Sequence, residues 1–237
     1  MDIKSLAAKS TIGLVGLGGL GAGGYYGISA LNGSTEVQKK ESEPKTPSIE
    51  EALRNEGYTL LSEDSQNNDS WNTILSSYKT VIKQHTNLAF ENFTGEEPAG
   101  GATPTAVATL KQKCKDITVK DSNNKEMLKK ARKWCVTPID VAKLLKAKGF
   151  NALQTNIGEE NQEKNEWTEK IKAYRTAKKN NSSIGQFVEI EDNAEVTPQN
   201  IAAAKTKCQE FAKILSHADT FETSLSSYEA WCGNKKE

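Results

Sequence analysis

Residues 103–114 read TPTAVATLKQKC, and residues 197–208 read TPQNIAAAKTKC. Thr-Pro, a Val-Ala or Ile-Ala pair, two lysines and a cysteine recur with every spacing kept, at an offset of 94 residues. Working outward, Trp71 and Tyr78 return as Trp167 and Tyr174 at an offset of 96. Trp134-Cys135 returns as Trp231-Cys232 at an offset of 97. Separated landmarks sharing one offset mark an internal duplication, and a repeat has to be recognised before the fold is read. The repeat predicts two tandem units, 48–138 and 139–237, that share one architecture.

Each unit opens in the same way. Thr46-Pro47 precedes Ile49, Ala52 and Leu53, then Gly57-Tyr58; Thr137-Pro138 precedes Val141, Leu144 and Leu145, then Gly149-Phe150. Proline before and glycine after an apolar run punctuate a short helix. A second helix follows, because Trp71, Leu75, Tyr78 and Ile82, and likewise Trp167, Ile171 and Tyr174, fall on one helical face. Long loops come next, Thr86–Gly101 and Asn180–Glu195, and Gln186–Ile190 alternates enough for a short strand. The third helix is expected to start at Pro104 and Pro198. The fourth carries Met127, Leu128, Ala131 and Trp134, or Phe221, Leu225, Tyr228 and Trp231. The predicted body is all-α: two small helical bundles, each closed by a helix hairpin.

The repeat also pairs the cysteines. Four cysteines allow three pairings. Inheritance of one bridge by each copy selects Cys114–Cys135 and Cys208–Cys232, and antiparallel arms of a hairpin bring such positions together. Free thiols in a cytosolic protein are the alternative. Structural zinc is disfavoured, since the short cysteine spacings of such sites are missing and neither His85 nor His217 neighbours a cysteine. The six repeated aromatics, Trp71, Tyr78, Trp134, Trp167, Tyr174 and Trp231, are expected to build the cores, with Trp134 and Trp231 shielding the bridges.

Ahead of the body, Ser10–Leu31 contains no charged residue in 22 positions, and as a helix it would span ~33 Å, enough for a bilayer. Eight of those residues are glycine, which membrane helices tolerate better than soluble ones do. Lys4 and Lys9 precede the segment, so the amino terminus is expected in the cytoplasm and the body outside. Small residues at Ser29-Ala30 would also suit signal cleavage, which would give a secreted protein. The predicted layout is an anchor at 1–31, a polar stalk at 32–47, and the two units. Gly16-Leu-Gly18-Gly-Leu-Gly21 fits a dinucleotide fingerprint in letters alone, because the glycines continue past the motif and the chain then turns into a polar linker instead of an amphipathic helix.

Net charge is zero, which gives no global field for nucleic acid, and no nucleic-acid partner is expected. The 111–133 hairpin holds nine basic and three acidic residues, whereas its counterpart carries Glu210, Asp219, Glu222 and Glu229 against three lysines. Solvated faces explain this most simply, and an electrostatic contact between the units is the alternative. Only two histidines exist, neither repeated, and no hydrolase, zinc-protease or phosphate-loop motif occurs. No catalytic, cofactor-binding or metal-ligating residue is assigned.

The run Leu6-Ala-Ala-Lys9, the glycine-rich stretch ending Gly23-Gly-Tyr-Tyr26, the lysine-rich helical body and the Trp-Cys pairs together resemble a set of uncharacterised paralogous proteins of haemotropic mycoplasmas. That resemblance implies a wall-less bacterium, an exported body and membership of a large variable set. It carries over no functional residue. The function expected from all this is a membrane-anchored surface protein, a binding or antigenic module facing a host-surface protein or glycan. A structural subunit of a membrane complex is the alternative, and an exported hydrolase or thiol enzyme is a more distant one.

Overall fold

Ser48 and Asp140 set the start of each half. In the computed structural model, which describes residues 46–159, 161–180, 185, 187–189, 191 and 194–235, Ser48 Oγ accepts from Glu51 N–H and caps helix α1 (Ile49–Asn55). Asp140 accepts from Lys143 N–H at 2.8 Å and caps α5 (Val141–Ala147). Each cap side chain satisfies a backbone donor that the helix itself leaves unpaired. The prolines expected at the first turn lie one or two residues earlier, where they hold the chain extended ahead of the cap. Both helices end on glycine in the left-handed region, Gly57 at φ 86° and Gly149 at φ 78°. At the first, Tyr58 N–H reaches Leu53 O at 2.9 Å and Gly57 N–H reaches Arg54 O at 3.0 Å, a Schellman closure.

The remaining elements follow in chain order. Helices α2 (Asn68–Val81), α3 (Ala106–Thr118) and α4 (Lys125–Trp134) complete the first half. Strand β1 (Phe150–Ala152), helices α6 (Lys164–Lys179), α7 (Pro198–Ala212) and α8 (Phe221–Trp231), and strand β2 (Gly233–Lys235) complete the second with α5. Helix α2 buries Trp71, Ile74, Leu75, Tyr78 and Val81, and α6 buries Trp167, Ile171 and Tyr174, so one apolar stripe faces each core.

Matching hydrogen bonds tie each half together. Ile49 N–H meets Lys120 O at 2.8 Å, and Val141 N–H meets Ile214 O at 3.1 Å, which seats each short helix on the turn of its helix hairpin. Ser122 N–H meets Pro47 O at 3.1 Å, and Ser216 N–H meets Ile139 O at 2.9 Å. Leu61 N–H reaches Cys135 O at 3.0 Å, and Leu153 N–H reaches Cys232 O at 2.9 Å. In the first half that last contact adjoins a single bridge, Leu60 to Val136. In the second it grows into the antiparallel pair β1–β2, with Asn151 opposite Asn234.

Three expectations need correction. Helix α3 begins at Ala106 rather than Pro104, because Thr105 is the cap and accepts from Ala108 N–H; only α7 starts at its proline, behind a capping box of Thr197 and Asn200. Phe187–Glu189 form no strand, since consecutive Phe187 and Val188 are both buried, which the alternation of a half-buried strand forbids; residues 186 and 190 lie outside the described set. Thr46 and Pro47 belong to the body and not to the stalk, because they bond Asn123 and Ser122.

Among the described residues no helix is long and apolar enough to cross a membrane. The predicted span at 10–31 and the stalk up to residue 45 lie outside them. All described residues fall in one compact unit, so the two halves pack on each other. A Cβ placed on Gly57 of the first half would touch Leu144 and Ala147 of α5, in the second, at 3.6 Å.

Candidate functional site

Both cysteine pairs close within their own half, Cys114–Cys135 with Cα atoms 5.3 Å apart and Cys208–Cys232 with 5.7 Å. The first cysteine of each pair sits inside a helix, on the last turns of α3 and α7, and not at its end. The second caps α4 or α8. All four are buried.

The six repeated aromatics lie in the cores. Trp71 and Trp167 donate Nε1–H to Ser62 O at 2.9 Å and Gln154 O at 3.1 Å, which pins the loop entering each long helix. Trp134 stands edge-on to Tyr78 with ring centres 5.1 Å apart, and Trp231 edge-on to Tyr174 at 5.3 Å. Edge-to-face geometry of this kind adds to plain apolar burial. Tyr78 also donates to Phe93 O and accepts from Phe90 N–H, both at 2.8 Å, so the long first loop is fastened to the core. Phe187 takes the corresponding place on Tyr174 and Trp231. These residues build a scaffold.

Sequence reasoning passed over the repeated lysines. Lys205 is 0% exposed, and its ammonium donates to Asn156 O at 3.1 Å and Glu159 O at 2.7 Å. Lys111, at the matching position, donates to Glu63 O and Asn68 Oδ1, both at 3.1 Å, and lies 5.9 Å over the Trp71 ring. Each ammonium clips the loop ahead of its Trp helix. The recurrence of Lys111 and Lys205 inside the duplicated motif was a usable signal. A polar groove of about 450 Å³ opens beside Lys111, lined also by Asn68, Asn72, Glu97, Thr105, Val107 and Ala108. The Glu97 carboxylate there accepts from Ala106 N–H at 2.9 Å.

A group of titratable side chains stands at the joint between the halves. Lys133 of α4 is 5% exposed, and its ammonium donates to Ala218 O at 2.6 Å in the α7–α8 turn. Burial pushes its pKa down, against the pull of Glu222 and Asp219. His217 lies in the turn after α7 and is 6% exposed. Neither ring nitrogen has a hydrogen-bond partner among the described residues. Burial, and then the Lys133 charge, lower its pKa. His85, just past α2, pairs through Nε2 with Asp219 at 2.9 Å. Arg132 grips Glu56 through two guanidinium nitrogens, which raises the arginine pKa. Burial and then Glu222 raise Tyr58. The opposite charges of the two hairpins thus meet here in part, with Lys133 facing Asp219 and Glu222. Among the described residues no cluster of His, Cys, Asp and Glu could hold a metal ion.

No family model, no curated protein and no solved structure matches the chain.

Proposed function

We propose that the chain is a membrane-anchored surface protein whose helical body stands outside the cell as a binding or antigenic module. One observation carries the reading: all four cysteines are joined in two buried disulfides. Such bridges belong to oxidising, exported compartments, where they stabilise small bundles short of apolar core. The uncharged stretch at 10–31 with lysines ahead of it would supply the anchor and the orientation.

The body reads as a binder and not a catalyst. Its cysteines are consumed in the bridges, and its two histidines stand at the joint between the halves. The contact surface we favour is narrower than the whole first loop. Leu88, Phe90 and Phe93 are buried, whereas Glu96–Thr105 is exposed throughout except at half-buried Pro98. This run offers two carboxylates, four glycine or alanine backbones in a row and four threonine or proline side chains, suited to a host-surface protein or glycan. In the variable set that the sequence resembles, variation would concentrate there.

Protease shaving of intact cells carrying the full chain, followed by a non-reducing peptide map, tests the reading. We expect the body to be released from outside, with residues 114 and 135 in one linked fragment and 208 and 232 in another. Protection until lysis, or free thiols in the native protein, would overturn it.

A further inference from the structure

Both histidines of the chain stand at one joint: His217 of the second half lies in the turn after α7, and His85 of the first half pairs with Asp219 of the same turn. His217 is buried with two unpartnered ring nitrogens among the described residues, and it shares its surroundings with the buried ammonium of Lys133. We infer that the contact between the halves is acid-sensitive and loosens when His217 takes up a proton.

A neutral imidazole is the lesser burden in this place, because it leaves one N–H donor and one acceptor unpaired but carries no charge. An imidazolium does not fit. It brings two N–H donors without acceptors and a positive charge beside a second one, and burial of an unpaired charge is costly. Opening the joint lets water reach the ring, so the protonated state favours the open form. Lys133 on α4 is the charge that acts on the ring; Lys129 on α4, Asp219 in the turn and Glu222 at the start of α8 act in turn on Lys133, and His85 beyond α2 pairs with Asp219. Asp219 is engaged by His85, and Glu222 draws on Lys133. His85 and Asp219 form an exposed pair. Both partners of that pair are more than two-fifths exposed, so solvent screens it, and the buried ring dominates.

The lowered proton affinity of folded His217 fixes the direction. Above the ordinary histidine value of about 6.5 the contact is at full strength. It weakens as pH falls below that value and levels off once the folded ring is protonated too. One proton sets a ceiling of about tenfold in the opening constant per pH unit.

Hydrogen exchange of the full chain between pH 7.0 and 5.5, corrected for intrinsic rates, is the test. In peptides covering 126–136 and 213–224 we expect the opening constant to rise several-fold toward that ceiling, while α2 and α6 stay protected. His217→Phe should flatten the rise, and His85→Gln should keep it. A flat wild-type profile, the same rise in His217→Phe, or its loss in His85→Gln would overturn the inference. Should His217→Phe fail to fold, the ring resonances of the wild type decide. Titration of His217 below about 6.5 supports the inference, and titration at or above it in the folded protein refutes it.

Discussion

Replacing Cys114 and Cys135 together by alanine should cost a calculable amount. The bridge closes a loop with a sequence separation of 21 residues, and its counterpart closes one of 24. With the chain-entropy relation the first is worth about 3.4 kcal/mol at 25 °C, and the second about 3.5 kcal/mol. The body spans about 190 residues, so the unfolding entropy near the midpoint is about 0.4 kcal/mol/K and the first loss lowers Tm by about 8 °C. Two features of the result follow from the mechanism. The two double variants should be nearly equal, because loop lengths differ little and both bridges are buried. The urea m-value should rise, because an unbridged chain exposes more surface on unfolding. Urea titrations followed by tryptophan fluorescence are a suitable assay, since all four tryptophans are buried and two precede a bridged cysteine. A loss under about 1 kcal/mol for either pair would refute the entropic reasoning. So would a large loss confined to one pair, which would mean that only that half is stapled under strain of ordering.

Three further outcomes are expected. Lys205→Met leaves the carbonyls of Asn156 and Glu159 without their donor and should cost about 2–4 kcal/mol in urea, against under about 1 kcal/mol for half-exposed Lys111→Met; equal losses would sink the distinction. Gly233→Ala should break the β1–β2 pair, because the new Cβ would lie 2.2 Å from Asn151 O, whereas Gly100→Ala meets nothing within 4 Å and should cost only about 1 kcal/mol for its positive φ. Thermal scans of the two variants side by side decide between these. Tyr58 has a folded pKa raised by burial and then by Glu222, so the stability it confers is complete below its unfolded value near 10 and drains away as pH rises past it. Tyr58→Phe should therefore be less sensitive to alkali than the wild type in melts between pH 9 and 11, and an unchanged alkaline slope would remove Tyr58 from the account.

Much of the helical body could be read from spacing. Trp71, Leu75 and Tyr78 lie on one face by arithmetic, and the helix follows. The disulfides could be paired because the recurring spacings offer each cysteine a partner within its own half of the sequence. What escaped was what depends on the third dimension. Thr105 competes with Pro104 for the start of α3, and only the backbone conformation, extended at Thr105, decides between them. The 186–190 segment has a strand-like pattern in letters, yet Phe187 and Val188 are both drawn inward, Phe187 onto Tyr174 and Trp231. The joint showed only as opposite charge on the two hairpins, and its residues escaped for the same reason. Lys133 and His217 are 84 positions apart, carry no repeat partner of their own kind, and belong to residue types ordinarily assigned to the surface.

The way Pro47 and Ile49 grip the α3–α4 turn has a mechanical meaning. Residues 120 and 122, which they hold, lie within the ring closed by Cys114 and Cys135. In the second half, Ile139 and Val141 hold residues 216 and 214 within the ring closed by Cys208 and Cys232. A tug on the amino-terminal end is therefore delivered to a covalently fastened buckle, then through α4 to the next one. Rupture under load should begin by peeling α1 off its buckle, with both rings left shut, so that a protein tethered at that end would yield in steps rather than unravel.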